Sequence, residues 1–147
     1  MTPTLREVLA QKAQRLQRAV QRARAERAAT DDFAHDFTHQ DAALLNVQRA
    51  CEQAIDMANL IVAEARLGAP EGARAAFQAL ARHGWIDATM AAELGRMVAF
   101  RNVLVHEYQD LDPEIACAVI DRELDTLLRF AGLVLQRALD TPTDTPS

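Results

Sequence analysis

Aromatic residues make up only 5% of this 147-residue chain: five Phe, one Trp and one Tyr. β-Strands are enriched in aromatic and β-branched side chains, so their scarcity beside abundant Ala weighs against sheets and for helices. Glycine and proline number five each, and no Gly-rich phosphate loop is present, which removes the nucleotide-cradle enzymes from consideration. The two cysteines, Cys51 and Cys117, fit no metal or redox spacing. Both sit among apolar neighbours at helical periodicity and are expected to be buried free thiols in a reducing compartment. The uncharged apolar runs are too short to span a membrane. Arg6, Glu7, Lys12 and Arg15 interrupt any leader-like start, so no signal peptide is expected and the expected location is cytoplasmic.

Half of the residues are hydrophobic and a quarter are charged, the balance of a soluble globular protein. The length fits one helical domain over residues 1–140, followed by a polar tail, 141–147, expected to be disordered. Net charge is −5, unevenly spread. Residues 1–30 carry seven basic and two acidic groups, a net of +5, while the remainder carries nine basic and nineteen acidic groups, a net of −10. Nucleic-acid binders are usually basic overall. RNA binding would therefore need a local basic surface, of which the first helix is one candidate. The plainer alternative is a solvated helix face that pairs with the acidic remainder.

Residues 5–28 place Leu5, Leu9, Leu16, Val20 and Ala23 at helical spacing, an amphipathic helix. Residues 30–41 hold four Asp and two His without a period, predicting a loop with capping Asp and Thr. His35 and His39 are four apart beside Asp36 and Asp41, a conceivable metal pair; no motif supplies a third ligand, so a polar connector is the simpler reading. A second helix is expected from about Asp41 to Arg66, with Arg49, Glu52 and Asp56 spaced for surface ion pairs. It ends at Gly68-Ala69-Pro70. A short third helix spans about Gly72 to Arg82 and stops at His83-Gly84. Trp85 and Ile86 form a hydrophobic staple before the Asp87 cap of a fourth helix. Asp112 and Pro113 open a fifth, running to about Ala138. The fold expected is an all-α, up-and-down bundle of four or five helices.

The stretch Met97–Tyr108, MVAFRNVLVHEY, carries the chemistry. On a regular helix its apolar stripe runs Met90, Leu94, Met97, Val98, then Arg101, Leu104, Val105 and Tyr108. A guanidinium on a core stripe costs several kcal/mol unless it is paired or opens into a cleft. His106 lies about 140° around the helix from Arg101, so one regular helix cannot aim both at one point. A distorted turn, or a second copy of the helix across a two-fold axis, could.

Arg101 offers a fixed positive fork for phosphate, and His106 can move a proton near neutral pH. Without metal ligands or a protein nucleophile, that pair suits phosphodiester cleavage by a neighbouring 2′-hydroxyl, which implies RNA. The structural alternative is a buried Arg–carboxylate pair, a capping His and an ordinary core Tyr.

RNVLVHEY resembles the Arg-x4-His-x-Tyr signature of HepT-type toxins in the HEPN superfamily. LLNVQRACEQAIDMANLIVAE resembles that family's second helix, with its Arg-x2-Glu-x3-Asp pattern at Arg49, Glu52 and Asp56. FQALARHGWI and LGRMVAFRNVLVHEY resemble its middle segment. The resemblance covers roughly residues 40–130. It implies a homodimeric toxin with Arg101 and His106 as catalytic residues, Asn102 supporting them, and no cofactor or metal. The implied substrate is cellular RNA, with tRNA a candidate. The implied partner is an MntA-type nucleotidyltransferase antitoxin that transfers AMP to Tyr108. Two function classes follow: a metal-independent ribonuclease toxin, and a non-catalytic helical module that binds a nucleotidyltransferase.

Overall fold

The computed structural model describes residues 4–140; the tail expected to be disordered lies outside them. Helix α1 is Leu5–Ala28, capped by the Thr4 hydroxyl, which accepts from the Glu7 amide at 3.2 Å. Helices α2 (Phe37–Glu64), α3 (Ala73–Arg82) and α4 (Ala88–His106) follow. A 3-10 turn covers Tyr108–Asp110. Then come α5 (Pro113–Ala118), a π-helical turn at Val119–Glu123 and α6 (Leu124–Asp140).

The fold is all-α, as expected, and the alternation of directions is readable from side-chain pairs. Lys12 meets Asp56 and Glu26 meets His39, so α1 and α2 run antiparallel. Cys51 donates to the Met97 carbonyl and Tyr108 to Asp41, which makes α2 and α4 antiparallel. Arg24 reaches Asp125 and Arg6 reaches the Ala138 carbonyl, so α6 also opposes α1. Four long helices thus surround one core, and short α3 inserts Phe77 against Phe130 of α6, edge to face with centroids 5.3 Å apart. Such contacts stabilise beyond the area they bury.

Four features differ from the sequence reading. Helix α2 begins at Phe37 rather than near Asp41, because the Asp36 carboxylate accepts from the His39 amide at 3.2 Å and starts the helix a turn early. Phe37 is two-thirds exposed, so this turn has no apolar period to betray it. Helix α4 ends at His106, and Glu107, with φ −135° and ψ 34°, breaks its geometry. Tyr108 therefore leaves the helix, and Val105, expected on the buried stripe, is 44% exposed. The fifth helix contains the π-turn, which keeps Ala116, Val119, Ile120 and Leu124 all facing the core. Finally, the ion pairs expected among Arg49, Glu52 and Asp56 do not form: Asp56 pairs with Lys12 at 3.3 Å, and Glu52 accepts from Gln48.

The basic first helix follows the plainer reading in part. Besides Lys12 and Arg6, Arg24 pairs with Asp125 at 2.7 Å and Arg27 with Asp121 at 3.5 Å. Lys12, Arg24 and Arg27 thus face acidic partners, while Arg15, Arg18 and Arg22 remain exposed without an ion pair among the described residues. No described helix is long and apolar enough to cross a membrane.

Candidate active site

Arg101 continues the buried stripe of α4 one turn beyond Met97 and Val98 and is half-buried there. Its Nε is buried with no hydrogen-bond partner. Among the described residues it makes no ion pair, so the Arg–carboxylate pair of the structural alternative is absent. It lies close to Cys51 of α2. Burial pushes the Cys51 thiol up to about 12, and the nearby Arg101 charge opposes that shift without overcoming it. Cys51 is thus an inert, protonated thiol. Cys117 is a free thiol as well, half-buried rather than buried.

His106 occupies the last turn of α4 and is exposed; Asn102 is exposed on the same helix. No hydrogen bond joins His106 to Arg101 in one chain. The angular separation read from the sequence is therefore preserved: Arg101 points inward and His106 outward.

Tyr108 opens the turn after α4 and folds back over the start of α2, where its hydroxyl donates to the Asp41 carboxylate. Partial burial raises the Tyr108 hydroxyl well above its ordinary 10.0, and the bond to Asp41 and that carboxylate's charge raise it further. The phenol stays protonated at neutral pH. Beside it lies a groove of about 300 Å³ walled by Leu44, Leu45, Gln48 and Leu104 and closed at one end by Asp41 and Tyr108. Asp41 was not among the site residues expected from sequence. It stands 67 residues from Tyr108, and no spacing rule links positions so far apart.

The His35/His39 pair resolves as polar connector chemistry. His35 bonds to Asp32 at 2.9 Å, and His39 bonds to Glu26 at 2.5 Å, clasping α2 to α1. Among the described residues no group of three or more His, Cys, Asp or Glu side chains could hold a metal ion.

Residues 9–134 match the family described as ribonuclease HepT-like. The chain belongs to that family. A relative from Shewanella oneidensis named mRNA nuclease HepT is 38% identical over 102 residues, spanning 69% of this chain and 77% of the relative. Among solved structures, the fold is similar to the tri-AMPylated Shewanella oneidensis HEPN toxin in complex with MNT antitoxin. The TM-score is 0.83 at 33% identity, covering 87% of this chain and 96% of that one. A toxin–antitoxin crystal structure with AMP-PNP gives a TM-score of 0.82 at 32% identity, covering 86% of this chain and 96% of that one. As a HepT-like chain, the protein places its signature residues on three different footings: Arg101 in the packed body of α4, His106 on that helix's last turn and Tyr108 on the turn beyond it.

Proposed function

We propose that this chain is the toxin of a toxin–antitoxin pair, a ribonuclease that needs no metal and is silenced by AMP transfer to Tyr108 from an MntA-type nucleotidyltransferase. The observation that carries the reading is Arg101. It is a half-buried guanidinium without a carboxylate partner and with an unpartnered Nε. Leaving such a donor unsatisfied is costly, and an RNA phosphate is the anion that would satisfy it. The relative named as an mRNA nuclease and the AMPylated HEPN toxin structure support the same assignment.

In this reading the substrate's 2′-hydroxyl attacks the adjacent phosphorus as its proton leaves, and the bond to the 5′-oxygen breaks. His106 accepts the first proton or protonates the leaving oxygen. Arg101 neutralises the charge gathering on the non-bridging oxygens. Asn102, exposed one residue beyond Arg101, supports substrate placement. The products are a 2′,3′-cyclic phosphate and a free 5′-hydroxyl. Messenger RNA, after the relative's name, and tRNA are the substrates to assay.

The inward Arg101 and outward His106 of one chain complete a site across a two-fold axis, so the working unit is a homodimer. Leu45 in the groove wall, with exposed Phe37 on α2 and Val105 on α4, supplies apolar surface for that pairing. The net charge of −5 favours the other reading, a non-catalytic module that binds the nucleotidyltransferase. Incubation of the pure protein with RNA in EDTA separates the two. Cyclic-phosphate ends support the ribonuclease; intact RNA, or cleavage abolished by EDTA, overturns it.

A further inference from the structure

If the chain handles RNA, the polyanion must rest on some basic surface of an acidic protein. On helix α1, Lys12, Arg24 and Arg27 face carboxylates, while exposed Arg15, Arg18 and Arg22 make no ion pair among the described residues and are the rival basic surface. A second basic surface stands elsewhere. Between α3 and α4 lies an open cleft of about 610 Å³, larger than the groove at Tyr108. Arg74 and Arg82 of α3 and Arg96 of α4 form its rim, Ala91, Ala92 and Gly95 its floor, and no carboxylate lines it. All three arginines are exposed, and none makes an ion pair among the described residues. Asp87, at the start of α4, is committed to capping the helix, accepting from the Met90 amide at 2.7 Å. Glu93, three residues before Arg96 on α4, is taken by Arg129 and Thr126 of α6.

The cleft is built rather than incidental. Arg74 lies across α4 and donates to the Gly95 carbonyl at 3.0 Å. A Cβ at Gly95 would stand 3.2 Å from the Arg74 Nε, a tight approach that would push the guanidinium back by a few tenths of an ångström. The Ala and Gly floor would let a sugar–phosphate backbone approach the helix closely.

The cleft also points at the motif. At 100° per residue Ala92, Arg96, Ala99, Val103 and His106 fall within about 80° of arc on the outer face of α4. From Arg96 to His106 the rise is about 15 Å along that face. A strand bound in the cleft would therefore run along α4 to the imidazole.

The geometry points to the α3–α4 arginine cleft as a docking groove for single-stranded RNA flanking the cleaved phosphate. This inference rests on the ribonuclease reading. The ligand is a ribose–phosphate chain held by charge, with guanidinium planes available to stack on its bases.

The test measures binding of oligouridylate against salt concentration, on a His106→Ala background that prevents turnover. Adding Arg82→Ala and Arg96→Ala should weaken binding about tenfold or more and flatten the log–log salt slope by about 1.4, two phosphate contacts at single-strand density. Arg15→Ala with Arg18→Ala, the same charge change on exposed α1 positions, should leave affinity in place. Gly95→Ala, which changes no charge, should produce a smaller loss by displacing Arg74. Parental affinity and slope in the Arg82/Arg96 variant overturn the assignment. An equal loss in the α1 variant overturns it as well, since the effect is then diffuse charge. A cleft variant that keeps RNA but loses the nucleotidyltransferase gives the cleft to an acidic partner surface instead. Should the His106→Ala parent bind no RNA at all, the ribonuclease reading falls, and the groove falls with it.

Discussion

The Tyr108 hydroxyl donates to the Asp41 carboxylate and so ties the turn after α4 to the first turns of α2. The tie protects the phenol's proton: burial, the hydrogen bond and the Asp41 charge all favour the neutral form. A group whose folded-state pKa is raised stabilises the fold below its unfolded value, here near 10.0, and loses that contribution as pH rises through the folded value. Asp41→Asn keeps an acceptor and removes the charge. It should bring Tyr108 ionisation part of the way down toward the ordinary range, burial keeping the remainder of the shift. The chain has one Tyr, so its ultraviolet titration reads this residue alone. An unchanged titration curve would show that Asp41 does not hold the phenol.

Removal of His106 should leave a folded but crippled enzyme. His106 is exposed at a helix end, so His106→Ala costs little packing, while general acid–base help is worth about 10²–10⁴ in rate. Arg101→Lys keeps the charge and loses the fork, and should also slow cleavage, since a point charge replaces bidentate contact. Initial rates on a defined RNA check both. Parental rates in the two variants would mean the site is elsewhere.

Tyr108→Phe keeps the ring and deletes the oxygen that would receive AMP. The variant should fold, cut RNA and gain no mass when incubated with the nucleotidyltransferase and ATP, while the parent gains AMP units and loses activity as phosphate charge accumulates at the site. Intact mass spectrometry reads the outcome. AMP on the Phe variant at the parental rate would place the modification on another side chain.

His39 should titrate above its ordinary 6.5, chiefly because Glu26 holds its protonated form, with Asp36 adding to the effect. The sign is opposite to that of a paired carboxylate. The clasp between α1 and α2 is complete below 6.5 and is lost as pH rises through the elevated value. NMR titration of the His39 ring should show the shift, and Glu26→Gln should abolish it. A His39 that titrates normally in the parent would remove the clasp.

Phe130 is fully buried against Phe77. Phe130→Ala should destabilise the domain by about 3–5 kcal/mol through lost burial and a cavity, measured by denaturant unfolding. A change below about 1 kcal/mol would mean that the core closes over the gap.

The parts of the molecule legible in the sequence are those with a period or a cap. Leu9, Leu16 and Val20 announced α1. Asp87 announced the start of α4, and Asp112 with Pro113 the start of α5. The inward placing of Arg101 followed from its register with Leu94 and Met97. What escaped had no such signature. Phe37 starts α2 while facing solvent, so its turn looked like loop. Glu107 is an ordinary helix former whose residue type does not disclose that α4 stops there. Tyr108 therefore belongs to a different element from the one its spacing suggested, and its contact with Asp41 comes from tertiary folding alone. The arginine cleft was equally hidden, because Arg74, Arg82 and Arg96 come from two helices and read singly as surface charge.

The end of α4 at His106 divides the signature between a frame and a hinge. The backbone of Arg101 lies within the packed body of α4. His106 and Tyr108 sit where the ladder of helix hydrogen bonds is running out and strain is cheap. On the proposed reading, a chemical change at the tyrosine acts on the imidazole through the two residues of backbone beyond α4, with the α4 body left in place. Disarming the site on that reading would then require no unfolding of the bundle.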